Sequence, residues 1–230
     1  MNSQVAFVSD MQYNYCVMEK NRVSLNKFRK AFLPMVCFSG EQVRLWRPNF
    51  GRDNFARWIA SGEILRLRRN LYTFPEYLQD PDSALYFANQ IYQPSYISLH
   101  TALHFYGLIP EEVVQFTSVS TLKTAFFQND FGTYSYRHVS DKYMFGYELM
   151  RTEGKMPFVV KIATPEKAVI DLLHLYPEYK TADDMAELRL DEEYLDGGID
   201  QDKLMDHVRR IGSPALAKRV DLFREVYGLL

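Results

Sequence analysis

An α+β fold built in successive parts is what this sequence predicts, on three observations. Between positions 24 and 76, short helical patterns lead into two basic, aromatic-edged strand patterns that turn at Arg69-Asn70. Between 77 and 176, helical stretches alternate with β-branched and aromatic runs, and after 177 the chain becomes acidic and closes on two further helical patterns. Helix, helix, then a basic hairpin is the order of a winged helix-turn-helix. The expected architecture is therefore an N-terminal winged helix-turn-helix over 24–76, a mixed α+β domain over 77–176, and a helical tail over 177–230 packed on that domain.

The first 23 residues mix polar and apolar side chains without a period and read as a lead-in. Ser24 can cap a helix over 25–32, with Leu25, Phe28 and Phe32 on one face and Pro34 stopping it. Ser39 with Gln42 three residues on forms a capping box for a second helix, whose Val43 and Trp46 face inward. Pro48-Asn49-Phe50-Gly51 is a turn, and a third helix over 52–61 directs Phe55, Trp58 and Ile59 to the core. Gly62 terminates it, and a two-stranded hairpin follows over 64–74.

A boundary falls at Pro75–Pro81. Asp80 and Pro81 then open a helix through Tyr92, and Ser98 caps another that Gly107 ends. Strands are expected at 116–120, 132–139 and 159–163, and Thr164-Pro165-Glu166 starts a helix through Tyr176. The tail predicts helices over 201–211 and 214–227.

The length of 230 residues suits roughly two domains, and 47% hydrophobic residues with 15% aromatics supply real cores. The net charge of -2 conceals a marked asymmetry. From 44 to 69 the chain carries Arg44, Arg47, Arg52, Arg57, Arg66, Arg68 and Arg69 against only Asp53 and Glu63. From 178 to 206 eleven carboxylates face Lys180, Arg189 and Lys203. No apolar run approaches the roughly 18 residues of a spanning helix, so no membrane partner is expected. Without a signal peptide and with only Cys16 and Cys37, in no CxxC spacing, the expected setting is a reducing cytoplasm.

The helix over 52–61 occupies the place of a recognition helix. With its apolar residues inward, Asn54, Arg57 and Ser61 share the outer face, and asparagine and arginine suit adenine and guanine edges in a major groove. Asn49 and Arg52 at the helix entrance, Arg44 on the preceding helix, and Arg66, Arg68 and Arg69 on the hairpin suit phosphates. Double-stranded DNA is the partner these residues predict.

Other chemistry finds little footing. His100 and His104 lie four apart on one helix but lack the intervening glutamate of HExxH, and His138, His174 and His207 are isolated, so all read as packing or surface histidines. Glu166, Lys167 and Asp171 resemble an acid-lysine nuclease cluster, but their spacing fits helix chemistry: Glu166 at the positive end and Lys167 with Asp171 as an i,i+4 pair. The GxSxG, GxxxxGK[ST] and GxGxxG patterns are absent from the sequence. A non-enzymatic protein without metal or cofactor is the expectation.

Three segments in series carry a family resemblance over about 38–176. Gly62-Glu63-Ile64-Leu65-Arg66-Leu67-Arg68-Arg69-Asn70-Leu71-Tyr72 resembles the wing of AbiEi-type antitoxins, with Asn70 where that wing usually carries glycine. Tyr96-Ile97-Ser98-Leu99-His100-Thr101-Ala102-Leu103-His104-Phe105-Tyr106-Gly107-Leu108-Ile109-Pro110 is similar to that family's "yis..sAL..hGl.p" segment. Ile162-Ala163-Thr164-Pro165-Glu166-Lys167-Ala168-Val169-Ile170-Asp171-Leu172-Leu173 resembles its "a.pekAllDll" helix. The resemblance implies a type IV toxin–antitoxin (abortive-infection) regulator. Its winged helix would repress its own promoter, and its second domain would counter a nucleotidyltransferase toxin without a stable complex. The alternative is a non-catalytic adaptor that uses the winged helix and the aromatic-rich second domain to bind a protein.

Overall fold

The structure, a computed structural model, describes residues 23–110, 115–153, 156–191, 195 and 197–229. Of the expected lead-in, only Val23 falls among them; Cys16, Glu192, Glu193 and Asp196 lie outside. The fold is mixed α+β, with two sheets, and the chain divides between Tyr77 and Leu78 into two compact units.

The first unit begins with α1 (Leu25–Phe32), capped by the Ser24 side chain as its sequence predicts. Pro34 does not stop the chain at once; one turn of 3-10 helix, Leu33–Met35, follows before the backbone extends. Strand β1 (Cys37–Ser39) leads into α2 (Gly40–Trp46), whose capping box is made by Ser39 and Gln42. Next come α3 (Arg52–Ala60), a turn in which Gly62 adopts φ +71°, and strands β2 (Leu65–Arg68) and β3 (Leu71–Thr73). The expected two-stranded hairpin is in fact part of a three-stranded antiparallel sheet, ordered β1-β3-β2. Cys37 pairs with Thr73 and Ser39 with Leu71. A three-residue strand with a partner more than thirty positions away has no local periodicity to show it.

One ring organises this unit. Phe28 is fully buried and meets Phe32, Phe38, Trp46, Phe50, Phe55, Trp58 and Phe74 at centroid distances between 4.7 and 6.4 Å. These rings come from α1, α2, α3, the α2–α3 turn, β1 and the residue that follows β3, so one side chain touches nearly every element. Trp46, expected inward, sits at the core's edge with 37% of its surface exposed. Phe55 and Ile59 are half-buried, whereas Trp58 and Val43 are buried.

The second unit is a six-stranded mixed sheet, ordered β6-β7-β5-β4-β9-β8. Its strands are β4 (Ser95–Ile97), β5 (Gln115–Ser120), β6 (Ala125–Asn129), β7 (Gly132–His138), β8 (Tyr147–Arg151) and β9 (Val159–Ala163). The pairs β5–β7 and β4–β9 are parallel; the other three are antiparallel. In register, Ile97, Ser118 and Tyr136 share one face, which α4 (Asp82–Ile91) covers. There Tyr136 donates to the Ala88 carbonyl at 2.7 Å, and the Asn89 amide bonds both the N–H and the carbonyl of Lys161 at 2.6 and 3.1 Å.

The alternating residues Tyr96 and Ser98 point to the other face, against α6 (Pro165–Leu175). Beside it lies α5 (Leu99–Phe105). Ser98, expected to cap α5, does not: its hydroxyl donates instead to Asp171 at 2.8 Å. Behind α6 pack α8 (Gln201–Ile211) and α9 (Pro214–Val226), through Asp200 N–H to Glu166 at 3.1 Å and Arg219 Nε to the Leu173 carbonyl at 2.8 Å. Part of the acidic stretch is helix chemistry, since Asp184 completes the capping box of α7 (Ala182–Ala186) and Asp200 caps α8.

Replacing Phe28 with alanine removes the shared contact of seven rings and is expected to destabilise the first unit by about 3–5 kcal/mol. Trp46 and Trp58, the two tryptophans of the chain, both lie in this unit, so tryptophan fluorescence during urea unfolding reads it separately from far-UV circular dichroism.

Candidate nucleic-acid interface and a buried polar cluster

The side chains expected to meet DNA sit on α2, α3 and the β2–β3 hairpin. Arg44, exposed on the outer side of α2, donates to Glu41 at 3.1 Å. Asn49 is exposed in the turn between α2 and α3. Arg52 is the first residue of α3, and its side chain lies outside the description. Asn54 and Arg57 come together: the Arg57 guanidinium donates to the Asn54 side-chain oxygen Oδ1 at 2.7 Å and lies 6.0 Å from the Trp58 ring centroid. Ser61 ends α3 and turns its hydroxyl back onto the Trp58 carbonyl at 3.3 Å, so its donor serves the helix end.

On the hairpin the alternation follows the expected sense. Leu67 is buried while Arg66, Arg68 and Arg69 are exposed, and the register shifts between Arg66 and Arg68, turning the strand toward the tip. Arg68 donates to the Arg69 carbonyl at 3.2 Å.

Between α2, α3 and the hairpin runs a cleft of about 540 Å³. Arg44, Arg66 and Arg69 line it, together with Phe55, Ile59 and Tyr72. Phe55 stacks on Tyr72 at 4.8 Å and 21°, fastening α3 to β3 at the cleft floor. Two further lining residues, Glu41 and Asn70, were not among the expected site residues. The Glu41 carboxyl is held below its usual range, first by a backbone N–H and then by the Asn70 amide. In the sequence Asn70 shows only its turn propensity, because its side-chain partner is 29 positions away.

A second cluster lies inside the other unit. Lys167 and Asp171 pair one turn apart on α6, as their spacing predicts, and both are fully buried. Lys167 also donates to the Tyr96 hydroxyl at 2.7 Å, and Tyr96 and Ser98 each donate to Asp171 Oδ2 at 2.8 Å. Burial pushes the Lys167 ammonium down in pKa, with Asp171 opposing, and pushes the Tyr96 phenol up. All four side chains are closed off from solvent, so the arrangement ties β4 to α6 rather than presenting a nucleophile or base at a surface. Glu166 faces the start of α8 instead: burial raises its pKa, but Thr164, the Asp200 N–H and Lys203 outweigh that and hold it low. Lys203 stands 3.1 Å from its carboxylate.

Three of the five histidines pack against rings, and His104 and His138 are exposed. His100 is edge-on to Tyr176, His174 stacks on Tyr143 at 3.9 Å, and His207 is edge-on to Phe145. Among the described residues no group of three His, Cys, Asp or Glu side chains could hold a metal ion. No described helix is long and apolar enough to cross a membrane.

Removing one member of the buried pair, as in Lys167→Met or Asp171→Leu, leaves a charge without its partner and is expected to cost about 3–5 kcal/mol in chemical unfolding. The double substitution is expected to recover most of that loss. Acid supplies a second handle. Burial lowers the pKa of both His174 and His207, so the fold favours the neutral rings. Their contribution is complete above the ordinary histidine range and is lost as pH falls through the lowered folded values. The melting temperature of the second unit should therefore drop between about pH 7 and pH 5, less steeply in His207→Leu.

Compared with protein-family models and with curated proteins, the chain shows no significant match to either.

Proposed function

We propose that this chain is a non-enzymatic, DNA-binding transcriptional regulator whose first unit is a winged helix. The order α1-β1-α2-α3-β2-β3 supports that reading, with α3 as recognition helix and β2–β3 as wing. The observation that carries it is the convergence of Arg44, Arg66 and Arg69 on one open cleft beside α3, three cations of the kind that hold a phosphate backbone. Asn54 and Arg57 project from α3 as base-reading groups, and their mutual hydrogen bond orders them before contact. Gly51 at the start of α3 contributes no side-chain cap, and although the Asn54 N–H bonds the Gly51 carbonyl, the Arg52 and Asp53 N–H groups suit a phosphate near Asn49. Ser61 is the weakest member of the set, since its hydroxyl is engaged at the helix end.

The resemblance of the wing, the Tyr96–Pro110 segment and the Ile162–Leu173 helix to AbiEi-type antitoxins extends the reading. On it, the protein acts in the cytoplasm, represses its own promoter and counters a nucleotidyltransferase toxin without forming a stable complex. The adaptor reading draws on the second unit, where Leu149 on β8 and Val159 on β9 are 68% and 54% exposed. Recovery of one stoichiometric protein partner, with no DNA shift, would favour it.

Titration of the purified protein against its own upstream DNA in increasing salt tests the regulator directly. A steep loss of affinity with salt is expected, and a flat, weak response on every sequence would sink the proposal. Arg57→Ala is expected to cost about 1–3 kcal/mol on a specific site and to relax preference at one position. Arg68→Ala is expected to weaken all sequences alike and to flatten the salt slope by about one unit.

A further inference from the structure

We infer that Asn70 is a positioning residue for this face: its side-chain amide clamps the hairpin tip to the first turn of α2, keeping Arg66 and Arg69 in one cleft with Arg44. The inference rests on the DNA-binding reading and adds to it the part that sets the geometry of the wing.

Asn70 does two separable things. Its backbone takes the left-handed turn between β2 and β3, at φ +63°, which asparagine tolerates and glycine adopts at less cost. Its amide does what glycine cannot. Oδ1 accepts from the Gly40 N–H at 3.1 Å, and Nδ2 donates to the Glu41 carboxylate. The other oxygen of Glu41 accepts from Arg44 at 3.1 Å. A continuous run of bonds therefore joins the hairpin tip to Arg44 through Gly40 and Glu41.

Gly40 is shaped to that contact. A Cβ at position 40 would lie 2.5 Å from Asn70 Oδ1, closer than any side chain can sit, so the start of α2 leaves room for the amide itself. Among the described residues, Arg66 and Arg69 have no carboxylate within ion-pair distance. Their own side chains do not fix the tip. The clamp does, and it spends its acceptors on α2 rather than on the arginines, leaving those free for an anion. β1 pairs with β3 only as far as Leu71, so beyond it the tip depends on this contact, and a tip that moved would have to be ordered at the moment of binding.

The test uses the full chain, with Asn70→Gly, Asn70→Asp and the exchanged pair Glu41→Gln with Asn70→Asp. Asn70→Gly keeps the turn and loses the amide. It is expected to speed hydrogen exchange at the Gly40 N–H and to weaken binding to the protein's own upstream DNA about tenfold. Asn70→Asp sets two carboxylates against each other and is expected to be at least as weak. The exchanged pair restores a donor and an acceptor with the wild-type net charge. It is expected to recover both slow exchange and affinity, which charge alone or loss of folding would not produce. Tryptophan fluorescence melting identifies any variant that fails to fold. Faster exchange in Asn70→Gly with DNA affinity unchanged would overturn the positioning role. Unchanged exchange would overturn the clamp itself. Were the wild-type protein to bind no DNA, the regulator reading would fall, and exchange at Gly40 across the three variants would still decide the clamp.

Discussion

The first unit depends on the burial of a single ring. About fifty residues can hide only a limited share of their surface, and short helices of seven to nine residues are not stable by themselves. Phe28 meets this constraint by standing where all three helices and the sheet converge, so that each element completes the contact surface of the others. Large flat side chains bury much area for little lost rotamer freedom, which explains the concentration of Phe and Trp in so small a unit. The orientation of α3 against the hairpin follows from the same packing. Phe55 touches both Phe28 and Tyr72, and so links the core to the floor of the arginine cleft.

The second unit solves a related problem with polar groups. A charged pair inside a protein loses its hydration, and only further hydrogen bonds offset that loss. Tyr96 on β4 and Ser98 just past its end, two residues apart and hence on one face, both donate to Asp171, and Tyr96 also accepts from Lys167. An apolar core would have tolerated α6 sliding along the sheet by a fraction of a turn; a network with four specific members does not. Arg219 and the Glu166–Asp200 contact then seat the tail helices against a helix already fixed in register.

This contrast also explains which features were legible in the sequence. Caps and helix lengths depend on residues within a turn of one another, and Ser24, the Ser39–Gln42 box and the Gln201–Ile211 helix all read correctly. The Lys167–Asp171 pair was visible as an i,i+4 spacing for the same reason. Strands β1, β4, β6 and β8 were not: β1 and β4 are only three residues long, and β6 and β8 are the two edges of the six-stranded sheet. Ser98 misled for a related cause: a serine ahead of a helix has the form of a cap, but a carboxylate 73 positions away held its hydroxyl. At the candidate interface, the arginines were legible as a run of charge, whereas Glu41 and Asn70 acquire meaning only when α2 and the hairpin tip meet.

The same distinction between local and distant bears on how a chain of net charge -2 could attract a polyanion. At physiological ionic strength, charges separated by more than about 8 Å of solvent scarcely feel one another. The charged side chains that line the cleft are Arg44, Arg66 and Arg69, with the carboxylate of Glu41 beside them. That carboxylate is already shared between Arg44 and Asn70, so its field is largely spent within the protein. The carboxylates of 178–206 contribute to the total charge but are partly committed to helix caps, as Asp184 and Asp200 are. On the proposed reading, affinity for DNA depends on where the hairpin tip is held, since displacing Arg66 and Arg69 from Arg44 would leave the composition unchanged and disperse the positive charge that lines the cleft.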